Sequence, residues 1–153
     1  MAVEICELPI QTLADQAAAL FQENYLATVQ HLGVSGLNFN RDLYLAVESQ
    51  GILLSLAAFF EGKILGYSVN MILPHPHFTQ MKICRNDAFF VTASWRLTRV
   101  PLRLLTRTEQ SATQRGAEQM TWSAKVGSPF ITWLPRVGYR HEESLFIKTL
   151  QTE

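Results

Sequence analysis

The stretch from Ile83 to Gly116 limits the fold of this chain more than any other. It reads as a buried strand, a short turn, and then a helix striped with arginine. The run Ala88-Phe89-Phe90-Val91-Thr92 is apolar, rich in β-favouring residues and bounded by polar ones, and too short for a helix, so it predicts a strand. The helix begins near Thr98. Leu97, Val100, Leu104, Leu105, Thr108 and Ala112 recur at three- and four-residue spacing and form one apolar stripe. Arg96, Arg99, Arg103 and Arg107 follow the same spacing and fall on a second face. Pro101 lies in the first turn, where its missing N–H breaks no helical bond. A strand feeding a helix whose free N–H groups and arginines point outward suits an anion. The plainer alternative is an amphipathic helix with a solvated basic face.

Charge supports the same location. Formal net charge is zero, but residues 1–50 carry six acids against one base, whereas residues 82–115 carry seven bases against two acids. The 153 residues fit a single domain, residues 1–153, able to bury roughly two thirds of its unfolded surface. Two isolated cysteines, Cys6 and Cys84, build neither a disulfide framework nor a metal site and favour a reducing compartment. Acids stand where a signal peptide needs bases, and no apolar run reaches membrane-spanning length. A cytoplasmic protein without a membrane partner is expected.

Ala2 to Cys6 predicts a first strand, and Gln11 to His31 a helix with Leu13, Ala17, Leu20, Phe21, Asn24 and Leu26 on one side. A second helix follows Asn40 as N-cap, burying Leu43, Tyr44 and Val47 and stopping at Gly51. Ile52–Phe60, the turn Glu61-Gly62-Lys63 and Ile64–Leu73 form a hairpin. Pro74-His75-Pro76-His77-Phe78 comes next, then the strand Ile83–Thr92. After Gly116, Met120–Lys125 predicts a strand, and Phe130–Arg136 a short helix capped by Ser128 with Pro129 at its first position. Tyr139–Thr149 carries the final strand or strands. The order β-α-α-β-β-β-α-β-α-β describes a mixed α/β (α+β) domain, with a twisted, mostly antiparallel sheet flanked by helices.

Several pieces occur together in order: Gly62-Lys63-Ile64-Leu65-Gly66-Tyr67, Pro74-His75-Pro76-His77-Phe78, Asn86-Asp87-Ala88-Phe89-Phe90-Val91, Trp95-Arg96 and Leu134-Pro135-Arg136-Val137-Gly138-Tyr139. On these the chain resembles the GNAT superfamily of acyl-CoA-dependent N-acyltransferases, and within it a phage and prophage branch. The resemblance covers about residues 1–150 in outline and 51–150 with matching motifs. It implies that the strand matching Ala88–Thr92 splays from the one matching Met120–Lys125. The pantetheine arm of acetyl-CoA would pair with the first strand at Phe90 and Val91. The pyrophosphate would rest on Arg96-Leu97-Thr98-Arg99-Val100-Pro101, with Arg103 adding charge.

Two departures bear on that implication. The family turn is rich in glycine, yet no glycine occurs between Gly66 and Gly116, and Pro101 removes an N–H donor. Many members place a tyrosine in the late helix to protonate the leaving thiolate, and Leu134 stands there instead.

Acyl transfer to an amine needs a base, a donor for the carbonyl oxygen and a proton for the thiolate. By resemblance Asp87 is the base, with a structural turn at Asn86-Asp87 as its alternative. His75 and His77 are the other candidates, since alternation points both one way and histidine titrates near neutrality. A metal is not expected, because no third ligand has suitable spacing. The oxygen donor would be a backbone N–H near Phe90 or Val91. Ser94 and Ser128 lack His–acid partners for a hydrolase triad, and Trp95, Trp122 and Trp133 suit core packing.

The leading expectation is acetyl transfer from acetyl-CoA to an amine acceptor. Its rival is a catalytically degenerate GNAT-like phage protein, a virion or assembly component or a binder of a host protein. Zero net charge argues against a nucleic-acid partner. An exposed strand edge at the splay would allow a homo-oligomer.

Overall fold

The protein is described here by a computed structural model covering residues 2–28 and 37–150. Its contacts divide the chain into two compact units, Met1–Ser123 and Ala124–Glu153.

The first unit is built on one five-stranded sheet in which neighbours in space are neighbours in sequence. The strands are β1 (Glu4–Glu7), β2 (Leu53–Phe60), β3 (Lys63–His75), β4 (Phe78–Val91) and β5 (Gln119–Thr121). The first three junctions are antiparallel and the last, β4 with β5, is parallel. The sequence Leu53-Leu-Ser-Leu-Ala-Ala-Phe-Phe60 shows why β2 lies near the middle. It is buried on both faces, as a nearly continuous apolar run requires.

The β2–β3 hairpin forms as expected. Phe60 pairs with Lys63, and the two residues between them, Glu61 at φ 50° and Gly62 at φ 76°, both take the left-handed conformation of a two-residue hairpin turn. Pro76 and His77 make the next turn, between the paired His75 and Phe78. That early pairing starts β4 five residues before the predicted Ile83, and the strand stops one residue short of Thr92.

Helices cover both faces. α1 (Ile10–Gln16), α2 (Ala18–Thr28) and α3 (Arg41–Ser49) lie on one side, where Ile10, Leu13 and Ala17 pack with Leu53, Ala57, Tyr67, Val69 and Phe90. α4 (Val100–Gln114) lies on the other, with Val100, Leu104 and Ala112 against Leu54, Leu56, Ala58, Leu65, Ile72, Cys84 and Val91. The two lists alternate along β2, as the period-two geometry of a strand demands, and along β3 the alternation is reset at Leu65, the extra residue of a bulge between Ile64 and Gly66. Among the described residues no helix is long and apolar enough to cross a membrane.

Several boundaries differ from the sequence reading. The single helix expected over Gln11–His31 breaks at Ala17, whose residue type gives no reason for it, and its last three positions lie outside the described residues. Leu26 and Leu43, expected on buried faces, are about half exposed at 51% and 52%. Asn40 caps α3 as predicted, its Oδ1 accepting from Leu43 N–H at 3.2 Å. Leu97 does not continue the apolar stripe of α4 and is fully exposed. A 3₁₀ turn at Ala93–Trp95 redirects the chain, and the helix starts only at Val100. β5 spans three residues rather than the expected Met120–Lys125.

In the second unit, α5 (Pro129–Trp133) leads into a 3₁₀ turn at Leu134–Val137, ended by Gly138 at φ 99°. Ser128 stands at the N-cap but makes no capping bond through its side chain. No strand forms over 139–150, although one was expected at Tyr139–Thr149. A strand exists only where an edge accepts it, and this segment has no ladder partner among the described residues.

Candidate active site

β4 and β5 pair at three positions only, Ile83 with Gln119, Cys84 with Met120 and Arg85 with Thr121. β4 then runs on to Val91 with β3 alone beside it, so the parallel pair parts into an opening. At the parting the Phe89 and Trp122 rings meet edge to face, 5.3 Å between centroids.

The backbone along the opening follows from the β3–β4 register. Thr92 N–H donates to Leu65 C=O at 2.8 Å, and Phe90 faces Tyr67 in the ladder. Alternation therefore turns the Val91 peptide toward the opening and that of Phe90 toward β3. The Val91 carbonyl already has a partner, since Arg96 Nε donates to it at 2.7 Å. The same guanidinium lies 5.0 Å from the centre of the Phe90 ring and pairs loosely with Glu23 of α2 at 3.9 Å. Glu23 also accepts from Thr92 Oγ1 at 3.3 Å. Arg96 thus ties the end of β4 to α2.

Asp87 sits where the ladder slips. Asn70 pairs with Asn86 and Val69 with Ala88, which leaves Asp87 as the extra residue of a bulge. Bulges re-aim side chains, and here the carboxylate meets α3, where Tyr44 Oη donates to Asp87 Oδ2. None of the ion pairs among the described residues includes Asp87. Burial and then the bond to this carboxylate raise the Tyr44 phenol well above its ordinary value. Tyr67 lies close by and takes a hydrogen bond from Asn24 Nδ2 at 2.8 Å. Burial is the main cause that pushes the Tyr67 phenol up to about 12; the charges of Asp87 and Glu23 add to it, and the Asn24 bond opposes it. Both phenols therefore stay protonated at neutral pH. Phe21, Phe39, Tyr44, Tyr67 and Phe90 form a connected aromatic cluster beneath these groups, with ring centres 4.7–6.1 Å apart.

The turn leading into α4 is built by Thr98. Its Oγ1 donates to Trp95 C=O at 2.7 Å and accepts from Val100 N–H at 3.2 Å, so this hydroxyl caps the helix, while its own N–H donates to Trp95 C=O. Pro101 has no N–H. Among the described residues the N–H groups of Leu97, Arg99 and Leu102 have no protein acceptor, and they supply the turn's donors for an anion.

The arginines divide sharply. Arg103 Nη2 donates to Val3 C=O at 2.8 Å, and Arg107 lies near Cys6 and Glu7. Arg99, exposed at the N-cap of α4, has no ion pair among the described residues. Of the predicted anion-binding arginines it alone stands beside the free N–H groups with its guanidinium uncommitted.

His75 and His77 lie elsewhere. They flank the β3–β4 turn, where His77 N–H donates to His75 Nδ1 at 3.1 Å. Asp87 is nine residues along β4 from the Phe78 end, about 30 Å at ordinary strand rise. Among the described residues no three His, Cys, Asp or Glu side chains converge on a common point. Sequence reasoning missed Tyr44 as the partner of Asp87, and Glu23, Asn24 and Tyr67 as members of the same cluster. Tyr44 was visible only as an apolar-face residue of its helix, Asn24 as one side of the first helix and Tyr67 as part of a motif, and Glu23 only as one of the acids of residues 1–50.

No protein-family model matches the chain, and no curated protein matches it. Solved structures do. An aminoglycoside acetyltransferase from an uncultured soil metagenomic sample, in complex with sisomicin, is similar at a TM-score of 0.76 and 18% identity, over 97% of each chain. The ribosomal-protein-alanine N-acetyltransferase of Brucella melitensis biovar Abortus 2308 is similar at 0.76 and 16% identity, over 99% of this chain and 100% of that one. AAC(6')-Iy in complex with the bisubstrate analog CoA-S-monomethyl-acetylneamine reaches 0.72 at 15% identity, over 99% and 100%. The chain has the fold of these acetyltransferases, the GNAT fold: a mixed five-stranded sheet with flanking helices.

Proposed function

We propose that this protein transfers an acetyl group from acetyl-CoA to a primary amine. One observation carries the reading: β4 parts from β5 with Asp87 bulged out on the open stretch and unpartnered N–H groups at its end. The likeness to acetyltransferase structures, one of them solved with a CoA bisubstrate analog, supports it.

The residues fit an anionic, amide-bearing co-substrate, though sparingly. Leu97, Arg99 and Leu102 offer N–H groups to phosphate oxygens, Arg99 adds charge, and Val91 turns its N–H toward the opening while Arg96 holds its carbonyl. Arg96 serves the strand end instead of the phosphates. When bound, acetyl-CoA supplies the activated acetyl thioester.

The chain's own groups prepare the acceptor. The Asp87 carboxylate, bonded among the described residues only to a neutral phenol, attracts an ammonium and accepts its proton, leaving an amine nitrogen free to attack. Tyr44 holds Oδ2 and leaves Oδ1 to face the acceptor. Because Leu134 replaces the tyrosine of the family pattern, the departing thiolate takes its proton from water.

The test is thiol release from acetyl-CoA in the presence of a panel of primary amines. Amine-dependent release that disappears in Asp87→Asn is the expected result. Release no faster than hydrolysis with every amine, by a folded protein that binds acetyl-CoA, sinks the reading.

A further inference from the structure

Beside Asp87 lies a set of buried polar side chains that packing alone does not explain. Ser68 and Asn70 on β3 are 0% exposed and Asn86 on β4 is 7% exposed. They interrupt a core layer whose other buried residues, among those described, are apolar apart from Ser55, Thr108 and Ser111. An apolar residue would fit this layer at lower cost, because each buried amide must have its hydrogen bonds met.

The bonds show what the amides do. Asn86 Nδ2 lies 2.8 Å from Asn70 Oδ1, 3.1 Å from Ala88 C=O and 3.3 Å from Val69 C=O. Asn70 Nδ2 in turn donates to Ser68 Oγ at 2.9 Å and to Leu54 C=O at 3.1 Å, which anchors the set to β2. Asn86 and Asn70 are register partners on one side of the slip, and Ala88 and Val69 on the other. The Asn86 side chain therefore spans the bulge from residue 86 to the carbonyl of residue 88. Asp87 is the residue enclosed.

We propose that Asn86, braced by Asn70 and Ser68, is a positioning residue for Asp87, fixing the bulge so that the carboxylate meets Tyr44 Oη and the acceptor. This rests on the reading of Asp87 as the base. The side chain of Asn86 touches neither acceptor nor co-substrate and acts through the backbone of residues 86–88. An apolar residue at 86 fills the same space but leaves the carbonyls of Val69 and Ala88 without that donor, and the ladder is then free to slip back into register.

The experiment has two readouts on the full chain. In the first, the Asp87 side-chain carboxyl carbon is followed by NMR in wild type, Asn86→Ser and Tyr44→Phe. The expected result is that Asn86→Ser moves this resonance toward its position in Tyr44→Phe, because both changes separate the phenol from the carboxylate. An unmoved resonance in folded Asn86→Ser overturns the proposal. If Asn86→Ser fails to fold, Asn70→Ser, which withdraws the 2.8 Å acceptor, is read in the same way. The second readout is kcat/KM with acetyl-CoA and the best amine of the panel, in Asn86→Ser, Asp87→Asn and the double variant. Asn86→Ser should lose about a hundredfold, as misplacement by an ångström does, with unchanged acetyl-CoA affinity. The double variant should lose no more than Asp87→Asn. Losses that multiply overturn the proposal. A protein inactive with every amine overturns the reading of Asp87 as the base, while the carboxyl resonance still decides whether Asn86 holds it.

Discussion

In the proposed mechanism Asp87 is the base, and it differs from the other bonded carboxylates in having a neutral partner, the Tyr44 hydroxyl. The other acids with visible bonds are engaged by arginines or backbone amides: Asp15 and Glu7 by Arg41 and Arg115, Glu23 by Arg96, Glu142 by Arg140, and Glu48 by Ile10 N–H at 2.8 Å. Replacing Asp87 with asparagine should keep the bond to Tyr44 and remove the proton acceptor. Turnover should fall by about 10²–10⁴, the usual contribution of general base catalysis, with unchanged acetyl-CoA affinity by calorimetry. Gly66 sets the limit on how close β3 and β4 approach. A Cβ there would lie 2.6 Å from Phe90 C=O and 2.8 Å from Val91 Cγ2. The oxygen belongs to backbone and cannot swing away, so Gly66→Ala must push the strands apart beside the opening. Overpacking of this kind costs about 1–3 kcal/mol, which a denaturant titration should show as a lower midpoint at constant slope. An unchanged midpoint would mean that the strand pair yields freely.

At the scale of elements, α3 matters because it delivers Tyr44, and two contacts fix it to α1. Glu48 Oε1 accepts from Ile10 N–H, supplying the cap that Pro9 lacks, and Arg41 Nη2 meets Asp15 Oδ1 at 3.0 Å. Bonds from Gln11 Nε2 and Arg41 hold the Asp15 carboxyl below the ordinary carboxylate value. A depressed folded value means that the link is fully present above the unfolded value near pH 4 and is lost as pH falls through the still lower folded one. Asp15→Asn should therefore melt below wild type at pH 7, and the two curves should converge in acid. A gap independent of pH would show that the charge plays no part. The elements themselves were largely legible. Glu61-Gly62-Lys63 between two apolar runs specified the hairpin, and the stripe Val100, Leu104, Leu105, Thr108, Ala112 specified the buried face of α4. What stayed hidden depended on partners distant in sequence. A bulge adds one residue to a strand and leaves no mark on an apolar run. Tyr44 and Asp87 lie 43 positions apart. Arg96 reads as one of four like arginines until Val91 C=O is seen to hold it.

For the molecule as a whole, the concentration of bases in residues 82–115 is smaller in effect than in count. Arg96 and Arg103 bind backbone carbonyls, and Arg115 binds both Leu53 C=O and Glu7, so three of the seven charges hold the fold together. Lys82 and Arg85 stand nine and six residues before the end of β4, away from the turn. On the proposed function, anion recognition at the head of α4 then falls to Arg99 and a few N–H groups rather than to a basic field over the surface. Acetyl-CoA affinity should accordingly be modest. It should weaken only moderately when ionic strength rises from 0.05 to 0.5 M, the range over which the screening length shrinks from about 14 to about 4 Å. Arg99→Glu should abolish binding without moving the thermal midpoint, because this side chain has no partner among the described residues to lose. Calorimetric titration of wild type and variant at both salts measures all of this. If the variant binds as tightly as wild type, the head of α4 does not hold the phosphates, and the pyrophosphate site must be sought among other groups along the opening between β4 and β5.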